Sequence, residues 1–390
     1  MNAPGAQAQA RPMRVRFVQP LIPKYREALI RRLAAEPGIE LEVWADLQPK
    51  QGSLGGAAGI DGVRCVHKPY REIGPFIWQP GELTAVRRPA DVVVMPWNSR
   101  YVQLVPALLR GRLNGVGTIL FGHGLGKRET WLRRRVRNAL IGLADGCILY
   151  SKGQADALIA EGQPKEKLFV APNSVDPTAI EAAKSLWPHE RVLRFFREQH
   201  CVPGRTILYV SRLERWKRVE LLLEAVARLA PTEPELTAVI IGDGEDRPRL
   251  EAMAETLRIT DRVRFVGAIY DEAAIAPWML GSACLAFPAA IGLSMLHALH
   301  YGLPVVTSDN RLPHGPEVEA LRPGQNGYFF RDGDVDSFRE AISHCLGHAD
   351  PSDPLRQGAL ATVSGPEGWN LEAMVGGFLR AIRSVAHRTA

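Results

Sequence analysis

Two cations stand where an anion is most easily held. Arg212 follows a β-branched run, TILYVS (206–211), and Lys217 opens the amphipathic stretch that comes next, KRVELLLEAVARL. Paired cations at the mouth of a helix form an anion site. The plainer alternative is a surface Arg and Lys at a helix start. A second segment repeats the chemistry with backbone alone. In FPAAIGLSMLHALHYGLPVV a strand ends at Phe287, a loop follows, and a helix begins near Gly292. Gly292 has no side chain to hold a phosphate off, and the N–H groups of Leu293 and Ser294 stand at the positive end of a dipole of about half a charge. An ordinary helix cap reads the same way. Gly302-Leu303-Pro304 then closes that helix and opens another strand.

Three other constellations carry less. Asp332-Gly333-Asp334 has the letters of a metal-binding DxD, but it follows Phe330 as a turn would. His297, His300 and His314 have no cysteine or carboxylate at convincing ligand spacing. Gly122-x-Gly-x-Gly126 lacks a following helix start and acidic partner. Neither a metal nor a dinucleotide cofactor is expected.

The elements that must position these residues alternate along the chain. Residues 14–19, 39–45, 63–67, 91–96, 118–121, 146–150 and 168–171 read as strands, and 24–35 as a helix. The pattern restarts after residue 200. Residues 206–211, 236–241, 263–266, 283–287 and 304–307 read as strands, with 219–229 helical. Such alternation implies parallel sheets covered by helices on both faces. The expected fold class is α/β, with two doubly wound, Rossmann-like domains facing a central cleft. Ligands in open α/β sheets bind beyond the carboxyl ends of the strands, so two facing edges would serve two substrates. The expected organisation is a tail (1–12), a first domain (13–175), a polar linker (176–203), a second domain (204–368), and a terminal helix (369–390) packing back on the first domain.

Composition fits a globular protein: 46% of the 390 residues are hydrophobic and 23% charged. There is no long apolar run and no apolar leader at the N-terminus, so neither a membrane span nor a signal peptide is expected. Five scattered cysteines without a CxxC pair argue against a disulfide framework and for a reducing, cytoplasmic setting. Charge is uneven: residues 1–180 hold 25 Lys+Arg against 15 Asp+Glu, and the remainder 23 against 27. The densest basic stretch, Lys127–Arg137, suits either an anionic membrane surface or a solvated helix face. No recognition motif supports nucleic acid as a partner.

The order of these pieces carries a resemblance. SRLERWKR (211–218), VIIGDGEDRPRLE (239–251), RVRFVGAIYDE (262–272), AIGLSMLHALHYGLPVVTSD (290–309), PEVEAL (316–321) and GQNGYFF (324–330) together resemble the family-4 glycosyltransferases, which have the GT-B fold. GHG (122–124) and the run 148–176 extend the likeness over nearly the whole chain, most of all to bacterial enzymes that build lipid-linked polysaccharides. The resemblance implies a retaining, metal-independent hexosyltransferase with a nucleotide-sugar donor and a polyprenyl-linked saccharide acceptor. It places Arg212 and Lys217 on the donor diphosphate. It sets the loop Ile291, Gly292, Leu293 and Ser294 against the donor, and Ala268, Ile269 and Tyr270 beside the base. His123 is implied to reach the donor sugar and reaction centre. Two glutamates separated by seven residues are usual in the family; Ala289 and His297 stand at those positions here. His297 can still hydrogen-bond a ribose hydroxyl, and Glu317 is a candidate to compensate for the lost carboxylate. Loss of both glutamates keeps two rivals open: a non-catalytic partner of a polysaccharide assembly complex, and a GT-B nucleotide-sugar epimerase.

Overall fold

A computed structural model describes residues 11–48, 58–124 and 130–389. The chain divides into two compact units, Met1–Pro172 with Met374–Ala390, and Asn173–Ala373.

The first unit is built on β1 (Met13–Val18), β2 (Ile39–Ala45), β3 (Arg64–His67), a small antiparallel hairpin of β4 (Arg71–Ile73) and β5 (Phe76–Trp78), then β6 (Val92–Pro96), β7 (Gly117–Phe121), β8 (Gly146–Leu149) and β9 (Leu168–Val170). Its seven-stranded parallel sheet runs β3-β2-β1-β6-β7-β8-β9. The central strands VVVMP and GTILF are buried along their whole length. That is why they read as unbroken apolar runs and not as alternating ones. Phe17, Phe121 and Phe378 pack together, with ring centroids 4.7–6.3 Å apart. Phe378 belongs to the last helix, Leu371–Thr389, most of which lies within this unit.

The second unit has six parallel strands: β10 (Thr206–Val210), β11 (Thr237–Ile241), β12 (Val263–Gly267), β13 (Cys284–Phe287), β14 (Val305–Ser308) and β15 (Gly327–Phe330). Their order, β12-β11-β10-β13-β14-β15, is that of a doubly wound parallel sheet.

Two expectations are corrected. Residues 176–203 are no loose linker: they form the helices Pro177–Ser185 and His189–Glu198. Ile180, Ala183, Val192 and Phe196 from these helices enter the second unit's core, and the Phe196 ring lies 5.5 Å from that of Trp278. Their polar letters cover the solvent face, and four apolar residues at helical spacing suffice to seat the other. Arg137 does not belong to an exposed basic face. It is buried on the helix Trp131–Leu143 and paired with Glu161. Lys127, Arg128 and Gly126 lie outside the described residues.

Candidate functional site

In the second unit the strand order reverses between β10 and β13. The carboxyl ends of two strands whose crossovers run in opposite directions leave a crevice there. The chain places Arg212 just after β10 and Gly292 at the end of the loop that follows β13.

The loop after β10 is held tightly. Ser211 N–H donates to Ile241 O (3.1 Å) and Leu213 N–H to Asp243 O (2.9 Å). Backbone comes so close that a Cβ on Gly242 would lie 1.9 Å from Ser211 O, and one on Gly244 2.2 Å from Leu213 O. Both glycines also have φ above +150°. The letters GDG are therefore dictated by close approach. Arg212 has a side chain 76% exposed and pairs with Glu214 at 2.9 Å. Lys217 is half-buried. Its Nζ lies 4.0 Å from the Trp216 ring centroid and 5.0 Å from that of Phe287, the last residue of β13. The ammonium is thus turned toward the crevice. Burial lowers the Lys217 pKa, Glu214 opposes this, and neighbouring Arg212 adds to it. A cation disfavoured by its surroundings and flanked by another gains from an arriving anion.

The loop after β13 is equally fixed. Ile291 N–H donates to His314 Nδ1 (3.0 Å), and Gly315 N–H donates to Ile291 O (2.8 Å). His314 Nδ1 is therefore an acceptor, and its Nε2 carries the proton toward Ser308 O at 3.0 Å. Gly292 then caps the helix Leu293–His300, with Leu293 and Ser294 in its first turn. Their amides have no partner inside the helix. Glu317, 3% exposed, lies beside this loop. A Cβ on Gly315 would meet its carboxylate at 2.1 Å, and one on Gly292 would stand 3.9 Å away. Asn173 Nδ2 donates to Glu317 Oε1. Burial pushes the Glu317 pKa up, partly offset by its own N–H and by Asn173.

The remaining expected residues sit as follows. Ala268, Ile269 and Tyr270 follow β12; Ile269 packs on the core and Tyr270 is 95% exposed. His297 Nε2 is engaged with Glu272 Oε1 at 2.8 Å, an oxygen that also accepts from the Tyr301 hydroxyl. Burial raises the Glu272 pKa, but His297 and Tyr301 more than reverse this, so it stands below the ordinary carboxylate range. Ala289 is buried. In the first unit, His123 is exposed after β7, its ring 4.8 Å from that of Tyr150. The Tyr150 oxygen accepts from Arg26, which also donates to Gln19 Oε1 (2.7 Å).

Sequence reasoning did not find Glu272 or Asn173, nor the Arg26–Tyr150 pair beside His123. It met His314 only as a doubtful metal ligand. The one available signal for Asn173 was its place in the quoted run 148–176.

Comparison with known proteins adds the decisive observation. The profile of Glycosyltransferase Family 4 matches residues 24–179, and that of Glycosyl transferases group 1 matches residues 204–348. The chain belongs to the family-4-like glycosyltransferases. HepE of Anabaena, solved in complex with UDP, superposes with a TM-score of 0.69 at 18% identity, over 95% of this chain and all of that one. This likeness establishes the two-unit GT-B fold. The lipopolysaccharide 1,6-galactosyltransferase of Salmonella typhimurium is 34% identical over 34% of this chain and 36% of its own. The exopolysaccharide phosphotransferase of Streptomyces coelicolor is 31% identical over 39% of this chain and 16% of its own. This family-4-like chain therefore spans well under two-thirds of the length of either curated relative.

Proposed function

We propose that this chain transfers a hexose from a nucleotide-sugar donor to a polyprenyl-linked saccharide acceptor during surface-polysaccharide assembly, with retention and without a metal. The observation that carries this is Lys217, half-buried at the reversal point of the second sheet and turned toward Phe287 at the end of β13. In the proposed reaction the bond from the anomeric carbon to the diphosphate breaks, and its electron pair leaves on the phosphate oxygen. Arg212 exchanges Glu214 for that diphosphate. Lys217 and the amides of Leu293 and Ser294 meet the growing charge already in position, which is the condition for electrostatic stabilisation of a leaving group. The acceptor hydroxyl bonds to the same face of the anomeric carbon and gives its proton to the departing oxygen. Ile291 and Gly292 lie along the donor, Glu317 supplies the carboxyl, and Ala268, Ile269 and Tyr270 flank the base. His297 contacts the ribose, and His123 serves the sugar.

The acceptor assignment draws on the polysaccharide and lipopolysaccharide enzymes among the relatives. It also draws on the first unit's surface. Ile73, Phe76 and Trp78 of the β4–β5 hairpin are exposed, as are Leu113, Trp131 and Leu132 on two neighbouring helices. Arg133, Arg134 and Arg135 follow Trp131 and Leu132 in the chain and are also exposed. Apolar groups with basic neighbours suit an anionic bilayer surface. Among the described residues no helix is long and apolar enough to cross a membrane, so the proposed association is peripheral, on a cytoplasmic face.

Thermal denaturation with UDP-, GDP- and dTDP-sugars tests the reading. One donor class raises the melting temperature, and turnover with that donor persists in EDTA. Binding of none, or strict metal dependence, refutes it. The second reading, a non-catalytic partner, is favoured by Ala289, which puts a methyl where the family has a carboxylate. Measured turnover excludes it.

A further inference from the structure

We propose that Asp332 is a positioning residue for Lys217, acting through the backbone of Arg218. The proposal rests on the donor-site reading of Lys217. Arg218 joins the short turn Arg215–Lys217 to the helix Val219–Leu229, and it does so at φ 56° and ψ 37°. This is the left-handed region, which a side chain disfavours and glycine tolerates. Two turns hang on that conformation. Arg218 N–H donates to Arg215 O, and Leu221 N–H donates to Arg218 O, each at 3.1 Å. Lys217 is the residue immediately before, so the Arg218 dihedrals help fix the direction in which its side chain leaves the loop.

What holds Arg218 there lies far away in sequence. Its Nη1 donates to Asp332 Oδ1 at 2.6 Å. Asn310 Nδ2 donates to Asp332 Oδ2 at 3.0 Å, and Asp332 N–H donates to Asp309 Oδ1 at 3.0 Å. Hydrogen bonds from Asn310 and Arg218 hold the Asp332 carboxyl below its usual range, so it is a carboxylate at neutral pH. The pair spans from the loop after β10 to the loops after β14 and β15. The turn Asp332-Gly333-Asp334 is thereby a latch as well as a change of direction. An unlatched Arg218 relaxes out of the left-handed region and takes Lys217 with it. A staple with only a structural role would change stability and leave ligand affinity alone.

Calorimetric titration of the whole chain with UDP, GDP and dTDP tests this. The variants are Asp332→Ala, Arg218→Gly, the two combined, and Lys217→Ala. Asp332→Ala is expected to weaken the nucleoside diphosphate that binds wild type by about tenfold (about 1.4 kcal/mol). Arg218→Gly on that background restores affinity to within about twofold, because glycine holds the backbone without the latch. Should Asp332→Ala not fold, Asp332→Asn, which removes the charge, is expected to show the same loss and rescue. Wild-type affinity in the Asp332 variant, or a double variant as weak as the single one, overturns the latch. If Lys217→Ala binds like wild type, or no nucleoside diphosphate binds at all, the donor-site reading itself fails. A failed latch instead leaves Lys217→Ala weak.

Discussion

Glu82 offers the sharpest test of the first unit's energetics. It lies on the short helix Gly81–Ala85, 0% exposed, and neither carboxyl oxygen has a hydrogen-bond partner in the structure. Burial alone pushes its pKa up from 4.5 to about 8. A carboxyl raised in the folded state binds its proton more tightly there than in the unfolded chain. Stability is therefore fully present below about pH 4.5 and is lost as the pH rises to about 8. Each pH unit in that window costs about 1.4 kcal/mol, hence about 5 kcal/mol in all, a large part of the 5–15 kcal/mol of an ordinary domain. Glu82→Gln keeps the shape and removes the titration. Urea unfolding at pH 5, 6, 7 and 8 is the assay, with the first unit followed separately because the chain has two units. Near pH 5 the variant should lie within about 1–2 kcal/mol of wild type, since a buried amide also lacks a partner. By pH 8 it should be more stable by several kcal/mol. A stability difference that stays flat from pH 5 to 8 refutes the reasoning.

Three further outcomes are expected. Lys217→Ala should lower kcat by about 100-fold or more, as loss of a preorganised donor does; steady-state kinetics with the stabilising donor checks it. Gly242→Ala would set its Cβ 1.9 Å from Ser211 O; a loss of about 1–3 kcal/mol in the second unit, read by calorimetry, should come with weakened donor binding. Replacing Phe76 and Trp78 with serine should lower sedimentation with phosphatidylglycerol vesicles, while secondary structure by circular dichroism is unchanged; equal sedimentation would refute the hairpin's part in docking.

The doubly wound architecture was legible because interior parallel strands announce themselves as apolar runs, VVVMP and TAVII among them. The loops that carry Arg212, Lys217 and Gly292 were legible because each follows the carboxyl end of an apolar strand, β10 for the first two and β13 for the third. What stayed hidden depends on partners distant in the chain. Nothing local ties Ile291 to His314, or His297 to Glu272; the fold alone brings together residues 23 and 25 positions apart. The β4–β5 hairpin escaped notice because its strands are three residues each and largely exposed. The helices of residues 177–198 were taken for linker because charged residues are prominent in their composition, although Val192 and Phe196 stand at helical spacing and are buried. Asp332 read correctly as part of a turn, while its hold on Arg218 lies 114 positions away.

The first unit is not one continuous stretch of chain: its core needs Phe378 against Phe17 and Phe121, and residues 173–373 intervene. On the ribosome, the half that emerges first is therefore the half that finishes last. The second unit, contiguous in sequence, has everything it needs while the earlier segment still waits with an unsealed aromatic face. That interval, about 200 residues of synthesis at about 5–20 residues per second, leaves apolar surface of the first unit uncovered, which is the general condition under which nascent chains aggregate.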